Sequence, residues 1–304
     1  MNALDPNARG ALFMVVGMLG FTINDTLMKV VLADVPLFQA LFLRGLVASA
    51  ILGLLVARTS GFAAGLLPIR PGLVLRVGAE VGGTICFFTA LIHMPIADAT
   101  AIMQVMPLAV TLGAALFLGE RVGWRRSVAI VIGFGGVMII LRPGSGTFNS
   151  YAYLPLFTVV LIAARDLATR RLPPGLSSSM IAFLTSLATT MLAGLASIAQ
   201  PWAPVDGRLL ALIVSAALLL CIGYLFSVMT MRVGDISFSA PFRYTGLVWA
   251  IIAGMVVFGD VPDLWMLLGS AVVVGTGVYT ILRERRLARA GKVTPITSTI
   301  KPQR

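Results

Sequence analysis

The sequence predicts an all-α membrane protein of ten transmembrane helices, built as two inverted five-helix repeats. Three observations predict it: too little charge for a water-soluble surface, ten apolar runs of membrane-spanning length, and a match of the chain to itself at an offset of about 140 residues. Of its 304 residues, 58% are hydrophobic and only 12% charged, where soluble domains carry roughly 25%. The charges also gather between the apolar runs. A soluble enzyme of this length would need far more polar surface to cover its core.

A bilayer core takes roughly 20 apolar residues as a helix. Runs of that size fall at 10–32, 37–57, 72–93, 97–118, 125–141, 151–169, 178–199, 208–231, 236–258 and 263–282. Pro107 and Pro241 lie inside two of them, which a helix within a bundle tolerates. The alternation of a porin strand is missing. Met1–Arg9 is polar and no small-residue cleavage site follows, so the first run is expected to remain as a helix. Cys86 and Cys221 both fall inside runs and read as small hydrophobes, not as a disulfide or metal site.

Lys and Arg set the orientation. With the N-terminus in the cytoplasm, Arg9, Arg58, Arg70, Arg121, Arg125, Arg126, Arg170, Arg171, Arg232 and the seven bases from Arg283 onward all lie inside. That is sixteen of 23, against Arg142 and Arg208 outside; Lys29, Arg44, Arg76, Arg165 and Arg243 fall within runs. Both termini are therefore expected in the cytoplasm. The net charge of +11 follows from this bias and from a 284–304 tail that can rest on anionic lipid, so no nucleic-acid partner is needed.

The repeats run over 10–142 and 150–283. Leu118-Gly119-Glu120-Arg121 aligns with Phe258-Gly259-Asp260-Val261, and Asn24-Asp25 with Lys29 aligns with Arg165-Asp166 and Arg170. Five helices per half is odd, so the halves cross the membrane in opposite senses. Inverted repeats of this kind belong to alternating-access carriers, with the cargo near the midplane. That favours a secondary transporter.

Phe88–Gly144, running through ADATAIMQVMPLAV and LFLGERVGW, resembles the end of a repeat of the drug/metabolite transporter superfamily, EamA type. Pro241–Asp263, PFRYTGLVWAIIAGMVVFGDVPD, is similar to the matching part of a second repeat, and Phe38-Gln39 with Arg44 resembles the start of its second helix. The resemblance spans roughly 10–283 and departs at Asp260, where a Glu is usual. It implies a bacterial inner-membrane carrier. The superfamily's cargoes include amino acids, riboflavin and S-adenosylmethionine, the latter two by uptake.

Polar groups within the runs cost about 2.5–3.5 kcal/mol each at the bilayer centre unless satisfied, so they mark the chemistry. Arg243 and Tyr244 near mid-run, Gln104 as the repeat counterpart of Tyr244, and Arg44, Asn24 and Trp249 are the expected substrate contacts. A guanidinium with a phenol and an amide nearby suits a carboxylate or phosphate; pairing of Arg243 with an acid or with carbonyls is the other reading. Asp25 and Asp166 are pseudo-symmetric acids suited to coupling or gating, with Glu80 and Arg165. Lys29 is expected to hold Asp25 ionised from one turn away, and Arg76 to pair locally with Glu80. His93, the lone histidine, reads as interfacial.

The expectation is thus a carrier of a small polar organic metabolite. Amino-acid-like or other carboxylate- or phosphate-bearing solutes come first, S-adenosylmethionine or riboflavin uptake second. Coupling is to protons or exchange, since no P-loop is present. The chain is read as a monomer or homodimer with no cofactor or metal. An intramembrane enzyme lacks a catalytic constellation in this sequence, and a channel subunit has no need of two inverted halves.

Overall fold

The computed structural model describes residues 5–59, 71–119, 123–143, 149–170, 178–233 and 236–289. Glu120, Arg121 and the tail beyond Arg289 fall outside the described residues. No strand occurs among those described, and ten segments are helical, long and apolar enough to cross a membrane. The helices are α1 (Pro6–Val31), α2 (Leu37–Thr59), α3 (Pro71–His93), α4 (Ile96–Met103), α5 (Met106–Leu118), α6 (Trp124–Leu141), α7 (Tyr153–Arg170), α8 (Ser178–Ser197), α9 (Gly207–Arg232), α10 (Ile236–Ser239), α11 (Thr245–Ala253) and α12 (Leu264–Arg289).

The fourth and ninth spans are interrupted. α4 ends at Gln104 and α5 begins with Pro107 in its first turn. α10 passes through a 3-10 turn, Ala240–Tyr244, that carries Pro241. Each proline lacks the N–H that would continue the ladder. The breaks at Gln104 and Tyr244 are 140 residues apart, as are two further stops. Gly119 caps α5 with φ 68° and ψ 18°, and Gly259 closes the π-turn Gly254–Phe258 with φ 70° and ψ 14°. Both glycines hold the left-handed conformation that a side chain disfavours.

The helices pair α1 with α9, α2 with α8, α3 with α7, α4 with α11 and α6 with α12. Exchanging each span for the one five places along leaves this pairing set unchanged. The seam between α2 and α8 repeats the pattern in detail. Gly53 lies against the Phe183 ring, with its notional Cβ 3.1 Å away, and Gly194 lies against Phe42 at 2.8 Å. Adding 141 to Gly53 and subtracting it from Phe183 gives the second contact.

Ten spans put both ends of the chain on one face. The buried apolar core gathers at the opposite face, where Met28, Leu41, Leu91, Ile96, Ile213 and Met266 are at most 2% exposed. Large apolar side chains such as Val131, Leu195 and Val256 point outward from the bundle, as a surface facing lipid requires.

Candidate functional site

Polar side chains from six helices meet between the two halves in two layers. The first lies toward the sealed face. Asn24 of α1 donates its amide to Asp25 Oδ1 at 2.8 Å and accepts Arg44 Nη1 of α2 at 3.3 Å. The Arg44 guanidinium lies over the Phe88 ring of α3, 4.8 Å from its centroid, and its Nε is buried with no hydrogen-bond partner. Asn24 is 2% exposed and Arg44 7%.

The second layer lies nearer the face that carries the termini. Arg165 of α7 donates Nη1 to Glu80 of α3 at 2.6 Å, and its Nε and Nη2 reach Asp166 Oδ1 at 2.8 and 2.7 Å. Arg76 of α3 donates to Thr185 Oγ1 of α8 at 2.7 Å, leaving its Nε without a partner. Tyr224 of α9 lies within electrostatic reach of both layers, through Glu80, Arg165, Arg44 and Arg76. Phe21 meets it edge-on, centroids 5.4 Å apart. The Asp166 side chain is 37% exposed, so the cluster opens toward the termini and closes toward the apolar core.

Three guanidinium groups (Arg44, Arg76, Arg165) face three carboxylates (Asp25, Glu80, Asp166). Ionised, the set is neutral, and this matching makes six charges tolerable in a low-dielectric bundle. The unused Nε donors of Arg44 and Arg76 are sealed from the cavity in this conformation; uncovered, they would suit the carbonyl acceptors of a flat ligand.

Asn24, Asp25, Arg44, Glu80, Arg165 and Asp166 thus come together. Four other expected residues do not join them. Arg243, expected near mid-span, sits in the 3-10 turn between α10 and α11, with an exposed side chain. Tyr244 packs its phenol into the space that Gly277 of α12 leaves open. Gln104 caps α4, with its Nε2 4.0 Å from the notional Cβ of Gly246. Trp249 is half-buried on α11, its Nε1 unpaired.

Two expected pairings are replaced. Lys29 turns from Asp25 to donate to the Met94 carbonyl at 2.7 Å, over the Phe258 ring. Glu80 takes Arg165 across the α3–α7 pair, not Arg76 on its own helix, which instead turns to Thr185 of α8. His93 stacks on Tyr151 at the sealed face, 3.7 Å between centroids. Near it Arg142 pairs with Asp263, and Asp98, Arg142 and Asn149 line a cavity of about 210 Å³.

Sequence reasoning missed Tyr224, Thr185 and Asp98. A usable signal existed for Tyr224: Cys221, Tyr224, Ser227 and Thr230 recur every third residue along the second half of α9.

The EamA-like transporter family matches residues 8–142. A riboflavin transporter of Rhizobium johnstonii is 33% identical, over 70% of this chain and 71% of its own. The pseudopaline exporter CntI of Pseudomonas aeruginosa is 26% identical, over 89% and 95%. A solved crystal structure shares the fold with a TM-score of 0.66, at 21% identity over 92% of this chain and 99% of its own.

Proposed function

The chain belongs to the EamA-like transporter family, and we propose that it is a secondary carrier for a neutral, planar, carbonyl-rich metabolite of the riboflavin class. The family and these relatives are transporters, and ten spans make this chain a multi-pass membrane protein. The observation that carries the proposed cargo is the charge-matched cluster. A carboxylate cargo needs a cation in excess, whereas Arg165 is already held by Glu80 and Asp166 and Asp25 lies within electrostatic reach of Arg44. A neutral heteroaromatic leaves that balance intact. It can stack beside Tyr224, with its carbonyls accepting from guanidinium N–H groups that a rearrangement of Arg44 or Arg76 would uncover. The name of the Rhizobium johnstonii relative supports the same cargo. This reverses the order expected from the sequence, where carboxylate-bearing solutes came first.

The carrier works by alternating access between two inverted halves. The exchange-invariant helix pairing and the mirrored Gly53–Phe183 and Gly194–Phe42 contacts support that reading. The bias of sixteen bases to the face with the termini supports a cytoplasmic placement of both ends. The conformation described is then open to the cytoplasm, and Asp25, Glu80, Arg165 and Asp166 are its coupling or gating groups.

The test is growth of a riboflavin auxotroph lacking its own uptake system, rescued by this chain at limiting riboflavin. Saturable entry of labelled riboflavin, unaffected by excess S-adenosylmethionine or a carboxylated amino acid, is expected. Entry of the carboxylate without riboflavin would overturn the assignment.

A further inference from the structure

We propose that the groove between α6 and α12, at the face carrying the termini, holds one anionic phospholipid. The groove has a volume of about 410 Å³ and is lined chiefly by apolar atoms, with Val128 and Ile132 of α6 facing Gly275 of α12. A Cβ on Gly275 would meet nothing within 4 Å, so open space reaches the helix backbone there. An acyl chain fits such a slot along the two helices.

The head of the groove is chemically different. Trp124 stands at its head, an aromatic residue of the kind expected at headgroup depth, and Tyr279 lines the slot about a turn and a half deeper. Arg125 lies over the Trp124 ring, 5.2 Å from its centroid, which fixes a cation at the rim. A second cation comes from α12. Gly133 lies against Thr276 and Gly136 against Val273, so the helices run antiparallel and this register brings Arg125 level with Arg283. Arg283 has a buried Nη1 with no hydrogen-bond partner. Among the described residues neither arginine forms an ion pair. Arg125 lines the head of the slot and Arg283 follows Tyr279 by one turn on α12, so the head of the groove complements a phosphate above acyl chains. Each base near the surface favours an anionic headgroup over a zwitterionic one.

The inference does not depend on the cargo. It is tested on the full chain in mixed detergent–lipid micelles and in nanodiscs of phosphatidylcholine, with and without phosphatidylglycerol. Native mass spectra should show phosphatidylglycerol retained over phosphatidylcholine by about tenfold (about 1.4 kcal/mol), with a raised melting temperature. Arg125→Gln with Arg283→Gln should abolish the preference while leaving melting in phosphatidylcholine alone unchanged. Gly275→Leu, which fills the slot and keeps both cations, should reduce retention of both lipids. Equal retention by the wild type, or a preference that survives in the double variant, would overturn the proposal. So would a dimer that Gly275→Leu dissociates, since a second copy would then occupy the groove.

Discussion

Ser49 and Thr190 are 141 residues apart in the chain and 3.2 Å apart in space, hydroxyl to hydroxyl. The same offset lays Asn24-Asp25 on Arg165-Asp166. A residue that touches its own repeat counterpart sits where a two-fold exchange axis would pass, here through the seam of α2 and α8. Around it Ser49 also meets Ser186 at 2.9 Å. The hydroxyls give the seam polar contacts in a medium without water, each worth about 0.6 kcal/mol, while the Gly–Phe contacts on either side bring the helices close.

Those Gly–Phe contacts give the first prediction. A Cβ on residue 194 would stand 2.8 Å from the Phe42 ring, and one on residue 53 would stand 3.1 Å from Phe183. Gly194→Ala should therefore cost about 1–3 kcal/mol of stability through overpacking, and Gly53→Ala less. Adding Phe42→Leu to Gly194→Ala should recover part of the loss in a melting experiment. A Gly194→Ala variant as stable as wild type would mean that the seam is loose.

The second concerns Arg165, which bridges Glu80 and Asp166. Removing one member of this partly buried charge set strands the others, at a cost that solvent screening at Asp166 keeps below the roughly 3–5 kcal/mol of a fully buried pair. Arg165→Gln should lower melting temperature and yield sharply. Glu80→Gln in that background should restore part of both, because one stranded carboxylate disappears. Additive losses in the double variant would show that the two side chains do not depend on each other.

The spans were legible in the sequence because lipid imposes length and apolarity on each helix independently of its neighbours. Asn24, Asp25, Glu80 and Arg165 stood out for the same reason: a charged or amide group inside a span is conspicuous. Partnership was not legible. Lys29 lies one turn from Asp25 yet goes to Met94, and Arg76 lies one turn from Glu80 yet goes to Thr185. Contacts between spans are fixed by packing, which local spacing does not encode. At Arg243 the apolar count gave no sign of which way the side chain faces, and in the structure it is exposed in the 3-10 turn that carries Pro241.

Coupling gives the third prediction. Asp166 is the acid of the cluster with the most exposed side chain among those held in ion pairs. Asp166→Asn should abolish uphill accumulation of labelled riboflavin and leave counterflow exchange intact, since exchange moves no net proton. Accumulation driven by a pH gradient in that variant would remove Asp166 from coupling. The same pair of assays on Asp25→Asn separates the two pseudo-symmetric acids.

Arg243 supplies a control. With an exposed side chain at the start of its span, Arg243→Lys should change neither riboflavin affinity nor stability by more than about 0.5 kcal/mol. A clear loss of affinity with an unchanged melting temperature would return Arg243 to the substrate site.

The same exchange at Arg44 should behave in the opposite way. Arg44 is nearly fully buried, lies flat over Phe88 and shares Asn24 with α1. Lysine keeps the charge opposite Asp25 but has no planar group to lie on the ring and no second N–H fixed at the angle of a fork. Arg44→Lys should therefore weaken riboflavin binding by about 1.5–3 kcal/mol, the scale of a charge-assisted hydrogen bond. The melting temperature should move little, because a cation still offsets Asp25. If Arg44 serves only to tie α1 to α2, the pattern reverses: melting falls and the surviving protein binds with wild-type affinity. Titration of riboflavin fluorescence against Arg44→Lys, with melting measured on the same preparation, separates the two. Wild-type affinity with lowered melting would take Arg44 out of the substrate site, and with it the argument that guanidinium N–H groups select a neutral, carbonyl-rich ring.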